Sequence, residues 1–323
     1  MKKWCGKWMI LSMLMLLLGS GITAAASDFG NTESTQAAGK TGEVTTEDKK
    51  ITTALFIGVD NENNRQEKGS DASADTESGS GMADSLFLVV MNEEKGKTTI
   101  VGINRDTMAD VDIYDASGEY FRTSRLQIAL SHAYGDGQEE SCENTVKAVS
   151  KLFGGIDIDY YAALKMAAIP ELNDAVGGVQ VEVLEDMTAL NPEFWEGNTV
   201  VLEGDMALQY VRWRNTEDLN SSNLRLQRQK QYVSAFSDKL VETVSADLGS
   251  LVDMKEEIER YMVTNCTDEE LLTLFNSFRN CTDEDFCTVP GSIQQGKVYA
   301  EFIADEQGLQ ELREELWGTD PTE

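Results

Sequence analysis

The order of apolar runs along the chain constrains its fold more than any other feature. Runs rich in β-branched and large apolar residues at 51–59, 85–91, 98–103 and 179–183 have the length and composition of strands. The polar segment 92–97 predicts a hairpin between the second and third. Helical spacings occur at 125–134, 142–153, 172–176, 204–211 and from 221 or 222 to about 244. Strands that alternate with helices predict an α/β fold with a mixed sheet.

The N-terminus has the pattern of an export segment. Three lysines precede an apolar stretch that begins at Trp8 and ends in the small residues 24–26. Residues 1–26 are therefore either a cleavable signal peptide or an uncleaved membrane anchor, and the pattern leaves both readings open. In either case we expect the body outside the cytoplasm, held at the cytoplasmic membrane or secreted into the cell wall.

Composition divides the rest of the chain. Residues 27–50 are rich in Ser, Thr, Gly and Glu, which predicts a flexible linker, and 61–82 predict a loop of the same kind. The body, 51–245, contains the strands and helices. An acidic extension, 246–323, is expected to pack on the body or to follow it, and residues 236–323 carry 21 acidic against 6 basic side chains.

The overall charge narrows the possible partners. The chain has 57 acidic and 27 basic side chains, a formal net charge of −30. Nucleic-acid binding depends on Lys and Arg that neutralise phosphates, so we expect no nucleic-acid partner.

Cysteine and histidine usage gives little support to a zinc site. The chain has five cysteines, no CxxC pair and the single histidine His132. In an exported protein the cysteines of the body could form disulfides. We expect at least one bridge among Cys266, Cys281 and Cys287.

A cluster of arginines stands out against the acidic background. Arg212 and Arg214 lie two residues apart, so an extended backbone would direct both to the same side. Arg225, Arg228 and Gln229 share one face of the predicted helix. Guanidinium groups bind phosphate oxygens in pairs and keep their charge, so this grouping predicts a pyrophosphate site. The alternative is ordinary ion pairing with the acidic surface.

Charged residues also stand where strands end. Arg105 and Asp106 follow the strand 98–103, at the position where α/β sheets place ligands. Asp60 ends the first strand and Asp84 precedes the second. Two carboxylates near one end of a sheet could hold Mg²⁺ against a phosphate, although each taken singly could be a turn or cap residue.

Together these segments resemble the LytR-CpsA-Psr family of cell-envelope glycopolymer transferases. The resemblance covers about residues 51–240 and rests on the order and spacing of seven motifs: Gly58–Asp60, Ala83–Ser85, Asn104–Thr107, Ala133–Gly137, Val176–Val179, Ala207–Arg214 and Arg225–Gln229. The chain departs from the family pattern at Ala83, which stands for an arginine, and at Asn104, which stands for a proline. Ser221, Ser222 and Asn223 occupy the region where an acidic residue is common.

The resemblance implies an α/β/α sandwich with a central mixed sheet, usually held by one N-terminal anchor. It implies a phosphotransferase that moves a glycopolymer from a polyprenyl-pyrophosphate carrier to peptidoglycan, with Mg²⁺ as cofactor. By this resemblance, the pyrophosphate would contact Arg105, Arg212, Arg214, Arg225, Arg228 and Gln229, while Asp60 and Asp84 would hold the metal. Arg105 or Asp106 would assist the acceptor hydroxyl. Alternatives are a hydrolase of the same lipid and a non-catalytic binding or regulatory protein of the envelope.

Overall fold

The computed structural model describes residues 50–60, 80–115, 117–215, 217–246, 258–267, 269–270, 273–274 and 283–318. The predicted export segment, almost all of the linker and most of the 61–82 loop lie outside these ranges. Within the described part of the chain, no helix combines the length and apolar character that a membrane span requires.

The strands are, in chain order, β1 (Ile51–Asp60), β2 (Met82–Asn92), β3 (Lys97–Ile103), β4 (Met108–Tyr114), β5 (Tyr120–Gln127), β6 (Tyr160–Lys165), β7 (Val179–Glu182), β8 (Thr199–Leu202), β9 (Met262–Thr264), β10 (Phe286–Thr288), β11 (Gly291–Gln295) and β12 (Ala300–Ala304). The α-helices are α1 (Glu139–Leu152), α2 (Ile169–Ala175), α3 (Asp205–Arg212), α4 (Ser221–Ala246) and α5 (Glu306–Trp317). Short 3₁₀-helices span Ile128–Tyr134, Met166–Ala168 and Asp283–Asp285.

Six strands form the central sheet, in the order β10-β3-β2-β1-β6-β9. β1, β2 and β3 are antiparallel neighbours, so the predicted hairpin at 92–97 is confirmed. β6 joins β1 and β10 joins β3 in parallel. The sheet is therefore mixed, as the sequence predicts.

Helices cover both faces of this sheet. Because side chains alternate along a strand, Leu55 and Ile57 face one side and Ala54 and Phe56 the other. The first side packs with α1 and α5, and the second contacts α4 through Leu226. The α/β/α sandwich is confirmed.

One predicted helix is wrong over its first part. Residues 125–127 belong to strand β5, which pairs with β4, and only Ile128–Tyr134 is helical, as a 3₁₀-helix. Leu126 lies opposite Ala109 in the hairpin and packs in the apolar cluster shared with α1. Cross-strand pairing and burial therefore outweigh the helical spacing that begins at Arg125.

The C-terminal residues are part of the sheet. β9 and β10 form its two edges, and β11 and β12 form a hairpin whose Phe302 is buried against the α1 face. Cys266 and Cys287 are free thiols, and Cys281 lies outside the described residues. Every pairing among these three cysteines requires Cys266 or Cys287, so the expected disulfide is wrong.

Candidate active site

The loop after β3 is shaped by Asn104. Its side-chain oxygen accepts a hydrogen bond from the backbone N–H of Asp106 (2.9 Å), and its amide nitrogen donates to Ser222 (3.1 Å) and Asn223 (2.5 Å). These bonds tie the Arg105–Asp106 loop to the first turn of α4. Two departures from the family motifs, at position 104 and at 221–223, thus meet in one network.

Asp84 stands at an irregularity in the pairing of β1 with β2. Gly58 pairs with Ser85 and Val59 pairs with Ala83, which leaves Asp84 as the extra residue of a β-bulge. A bulge redirects a side chain that regular alternation would send elsewhere. The Asp84 carboxylate is buried, with 4% of its side chain exposed.

Arg105 and Arg225 share this carboxylate. Arg105 Nη1 lies 2.7 Å from one Asp84 oxygen and Arg225 Nη1 lies 3.0 Å from the other. Only 11% of the Arg105 side chain and 3% of the Arg225 side chain are exposed. Burial lowers the pKa of Arg225 to about 10, although Asp84 opposes the shift, so the guanidinium stays charged at neutral pH.

Arg212 and Arg214 reach the same end of the sheet by a route that differs from the prediction. Arg212 is the last residue of α3 and not part of an extended segment. Its Nη2 donates to Asp60 at 2.6 Å, at the end of β1. Arg214 follows in the next loop, with Nη1 3.8 Å from Asp106 Oδ1. The structure therefore brings Arg105, Arg225 and Asp84 into one contact set, and Arg214 joins them through Asp106.

Arg228 is placed differently from the other arginines. Its side chain is only 1% exposed, and its guanidinium donates to the carbonyl oxygens of Tyr210 and Trp213 and to Glu185. Burial lowers its pKa, while Glu185 raises it. The Arg228 guanidinium is thus bonded to the backbone segment that carries Arg212 and Arg214. This arrangement favours a role in positioning that segment over the predicted contact with pyrophosphate.

Gln229 lies where the charged cluster meets an apolar cavity. Its side-chain oxygen accepts a hydrogen bond from Ser85 Oγ (2.9 Å), and its nitrogen donates to the Val211 carbonyl (3.3 Å). Ser85 follows Asp84, and Gln229 lies one helical turn after Arg225. The two residues line a cavity of about 160 Å³ between the sheet and α4. Its other walls are almost entirely apolar and include Phe56, Phe87, Leu172, Val233 and Phe236.

The charged cluster has unused hydrogen-bonding capacity. Five buried side-chain polar atoms lack a hydrogen-bond partner among the described residues, and four of them are Asp84 Oδ1, Arg105 Nε, Asp106 Oδ2 and Arg214 Nε. Buried polar groups are normally paired, so such a concentration marks a place where a polar ligand completes the bonding. The mixture of donors and acceptors suits a phosphate together with a hydroxyl group or a cation.

The chemistry of the donor set also fits a magnesium ion shared with a ligand. Asp106 Oδ2 is a buried carboxylate oxygen without a hydrogen-bond partner among the described residues, and the buried Asp84 Oδ1 is ion-paired with Arg105 Nη1 at 2.7 Å. That part of the chain contains no group of three or more His, Cys, Asp or Glu placed to hold a metal by itself. Mg²⁺ typically takes one or two carboxylates and completes its shell with phosphate oxygens and water.

One residue of the site was missed by sequence reasoning. Gln127, the last residue of β5, donates to Asp106 Oδ1 (3.1 Å) and to the carbonyl oxygen of Ala300 (2.8 Å). It lies inside the segment predicted to be helical, and no motif marks it. Ala83, which stands for the arginine of the family pattern, is fully buried in the apolar cluster on the α1 face.

Known proteins resemble this chain in sequence and in fold. The model of the LytR_cpsA_psr family matches residues 19–317. The teichoic acid transferase TagU of Bacillus mycoides (strain KBAB4) is 30% identical over 200 residues, which are 62% of this chain and 60% of that protein. TagU of Enterococcus faecalis (strain ATCC 700802 / V583) is 24% identical over 313 residues, which cover 95% of this chain and 93% of that one. Both carry the full name polyisoprenyl-teichoic acid–peptidoglycan teichoic acid transferase.

A solved structure shares the fold. The crystal structure of Bacillus subtilis TagV superposes with a TM-score of 0.57 at 22% identity, over 84% of this chain and 97% of that one. The family match extends over nearly all of the described residues and includes every motif of the site. The chain belongs to the LytR-CpsA-Psr family.

Proposed function

We propose that this chain is a phosphotransferase that attaches a glycopolymer from a polyprenyl-pyrophosphate carrier to peptidoglycan through a phosphodiester. The observation that carries the proposal is the junction at Ser85 and Gln229, where a buried arginine cluster meets an apolar cavity. A ligand for this site needs an anionic head and an apolar tail. The TagU relatives, by name, act on polyisoprenyl-linked teichoic acid and on peptidoglycan.

The donor would lie across this junction. Arg105 and Arg225 already surround the Asp84 carboxylate, and Arg214 has a buried Nε without a hydrogen-bond partner in the described part of the chain. Phosphate oxygens can recruit these donors, because guanidinium groups bind phosphate in a bidentate way. The first isoprene units would fill the cavity between the sheet and α4, where burial of apolar surface stabilises them.

The reaction follows from this placement. A hydroxyl of peptidoglycan attacks the phosphorus next to the glycan, the bond between that phosphorus and the bridging oxygen breaks, and polyprenyl phosphate leaves. The product is a phosphodiester, and the hydroxyl proton passes to Asp106 Oδ2, a buried acceptor without a hydrogen-bond partner among the described residues. Arg105 and Arg225 stabilise the charge that builds on the phosphate oxygens.

Mg²⁺ is part of the proposal. Asp84 and Asp60 are the predicted ligands, and each already pairs with an arginine: Arg105 Nη1 lies 2.7 Å from Asp84 Oδ1 and Arg212 Nη2 lies 2.6 Å from Asp60 Oδ2, so the ion would compete with these arginines. When bound, the ion would neutralise phosphate charge. We also propose that residues 1–26 direct the chain out of the cytoplasm, as a signal peptide or as an anchor in the cytoplasmic membrane.

The test is a reconstitution with full-length protein, a lipid-pyrophosphate glycan and peptidoglycan oligomers. We expect a linked glycopolymer–peptidoglycan product by mass spectrometry. Arg225→Gln should slow its formation by about 10²–10³-fold, the usual loss for a group that stabilises charge in the transition state. The matched control is Arg260→Gln, which removes an exposed pair with Glu171 and should change little.

Two outcomes would contradict the proposal. If polyprenyl phosphate is released with no linked product, the chain is a hydrolase of the lipid. If the lipid binds and neither product appears, the chain is a binding protein of the envelope.

A further inference from the structure

The hairpin β11–β12 reaches the candidate active site from the C-terminal end of the chain. The N–H of Phe302 donates to the carbonyl oxygen of Asp106 (2.9 Å), and Thr107 pairs with Phe302 in a parallel bridge. Gln127 donates both to Asp106 Oδ1 and to the Ala300 carbonyl. Through Gln127, Ala300 lies near Asp106, and the loop 296–299 directly precedes Ala300 in the chain.

The residues of this loop are unusual for a turn. Gln295 pairs with Ala300, which leaves the four-residue connection Gly296, Lys297, Val298 and Tyr299. Val298 is 71% exposed and Tyr299 is 64% exposed. Turns favour Gly, Asn, Asp, Ser and Pro for conformational reasons, and none of those reasons applies to an exposed Val-Tyr pair. Adjacent apolar side chains that face solvent beside a reaction centre mark a contact surface.

The hairpin β11–β12 and the cavity proposed for the lipid lie on opposite faces of the central sheet. Ile293 and Phe302 pack in the apolar cluster on the α1 and α5 face of the sheet. The cavity proposed for the lipid lies between the sheet and α4. In phosphoryl transfer the attacking and leaving oxygens are roughly in line on opposite sides of the phosphorus. If the lipid phosphate leaves toward the α4 side, the acceptor enters from the side of the hairpin.

We infer that the loop Lys297–Tyr299 binds the acceptor glycan, a proposal that rests on the proposed function and names its second substrate site. The ring of Tyr299 offers an apolar face to the C–H groups of a sugar ring, and its hydroxyl remains in water. Lys297 supplies a cation for the carboxylates of a peptide-substituted glycan. Gln127, bonded to Ala300 and to Asp106, fixes the loop end of this hairpin relative to Asp106.

The test uses full-length protein and compares Tyr299→Ala and Val298→Ala with Phe121→Ala. Phe121 is a matched control, because it is an equally exposed aromatic residue (67%) on the other hairpin near the site. It lies six residues along β5 from Gln127, about 20 Å away at ~3.3 Å per residue. All three positions are exposed, so we expect the variants to fold.

We expect Tyr299→Ala to raise the KM for peptidoglycan oligomers about tenfold, with kcat and the KM for the lipid donor unchanged, as for a residue that binds the acceptor equally in ground and transition states. Phe121→Ala should match wild type. An acceptor KM equal to that of wild type in Tyr299→Ala would overturn the inference. If wild type shows no transfer, calorimetric binding of the oligomers to wild type and Tyr299→Ala decides the inference separately from the proposed function.

A membrane contact is the competing use of such a loop. Flotation with phosphatidylglycerol–phosphatidylcholine vesicles distinguishes it, when wild type and Tyr299→Ala are compared as chains that begin at residue 27 and so lack the proposed anchor. Loss of vesicle binding in Tyr299→Ala, with an unchanged acceptor KM, would assign the loop to the membrane.

Discussion

At the scale of single residues, the arginines of the motif region divide into two kinds. Arg105 and Arg225 both pair with the Asp84 carboxylate, one with each oxygen. Arg228 instead holds the carbonyl oxygens of Tyr210 and Trp213 and pairs with Glu185. Sequence spacing places Arg225 and Arg228 on one helix face, but three residues rotate a side chain enough to point it at a different neighbour.

Arg228→Met should therefore reduce stability more than it reduces chemistry per folded molecule. The substitution leaves two carbonyl groups and the largely buried Glu185 without their cation. We expect the free energy of unfolding to fall by about 3 kcal/mol or more, as for other broken buried pairs. Urea denaturation followed by tryptophan fluorescence measures this change. Arg212→Met is the control, because its side chain is 45% exposed and its loss should shift the midpoint little. Equal shifts of the urea midpoint in the two variants would contradict the view that Arg228, unlike Arg212, is held for structural stability.

His132 predicts a pH dependence of stability. Its ring is 1% exposed, and Nδ1 lies 3.3 Å from the Gly81 carbonyl oxygen just before β2. Burial lowers its pKa below the ordinary value of 6.5, and this outweighs the opposing hydrogen bonds and the charge of Asp136. As pH falls below 6.5, the unfolded chain gains a proton that the folded chain resists. Stability must then decrease, by at most about 1.4 kcal/mol per pH unit from this group.

Thermal unfolding of wild type and His132→Asn between pH 8 and pH 5 isolates this effect. Carboxylates titrate in both proteins, so the difference in Tm cancels their contribution. We expect the advantage of wild type to shrink as pH falls through 6.5. A constant difference across the range would show that His132 is not held neutral by its surroundings.

At the scale of elements, the pairing of α4 with the sheet creates the apolar half of the site. Ala162 on β6 lines the cavity opposite α4. Ala162→Leu adds three carbons to this space and should compete with the lipid tail, at about 0.8 kcal/mol per displaced methylene. We expect a higher KM for long-chain polyprenyl donors and an unchanged KM for a donor with one or two isoprene units. Kinetic assays with both donors measure these KM values. An equal change in KM for the long-chain and the short-chain donor would mean that the polyprenyl tail binds outside this cavity.

Element prediction succeeds where the local signal and the tertiary environment agree. β1 and β3 are predicted to within one residue at each end, because continuous apolar runs are what a sheet covered on both faces requires, while β2 begins three residues before its predicted start. The segment from Arg125 fails for the opposite reason, since its helical spacing competes with pairing to β4. The bulge at Asp84 and the contacts of Gln127 have no local signal at all. They depend on residues more than twenty positions away in the chain.

At the scale of the molecule, the acidic C-terminal extension completes the sheet. Sequence reasoning separates it by its charge, yet β10 is an edge strand and α5 packs on the α1 face through Leu309 and Leu316. Edge strands of three residues carry too little periodicity to be predicted. Charge and fold are thus independent in α5, because its acidic side chains are exposed while Leu309 and Leu316 are buried.

Because β10 and α5 are part of the sheet and its core, we predict that the C-terminal region is required for folding. A chain that ends at residue 283 lacks β10, the hairpin β11–β12 and α5. It would expose the surface beneath Leu309, Leu316 and Trp317, whose ring lies 5.9 Å from that of Phe153. Loss of one buried large side chain alone costs about 2–5 kcal/mol, and the total stability of a typical domain is about 5–15 kcal/mol. Removal of several buried side chains would therefore cost more free energy than the whole domain has, and we expect the shorter chain to be unfolded.

The control is a chain that ends at Gly318, which keeps the whole of α5. We expect the longer truncation product to be soluble, to unfold cooperatively and to resist trypsin like wild type. The shorter one should be digested throughout, including at Lys97 next to the uncovered edge of β3. Cooperative unfolding of the chain that ends at 283 would mean that residues up to 283 fold without β10, the hairpin β11–β12 and α5. In that case the hairpin β11–β12 would be an attachment to the active site, and its contacts with Asp106 would be removable without loss of the fold.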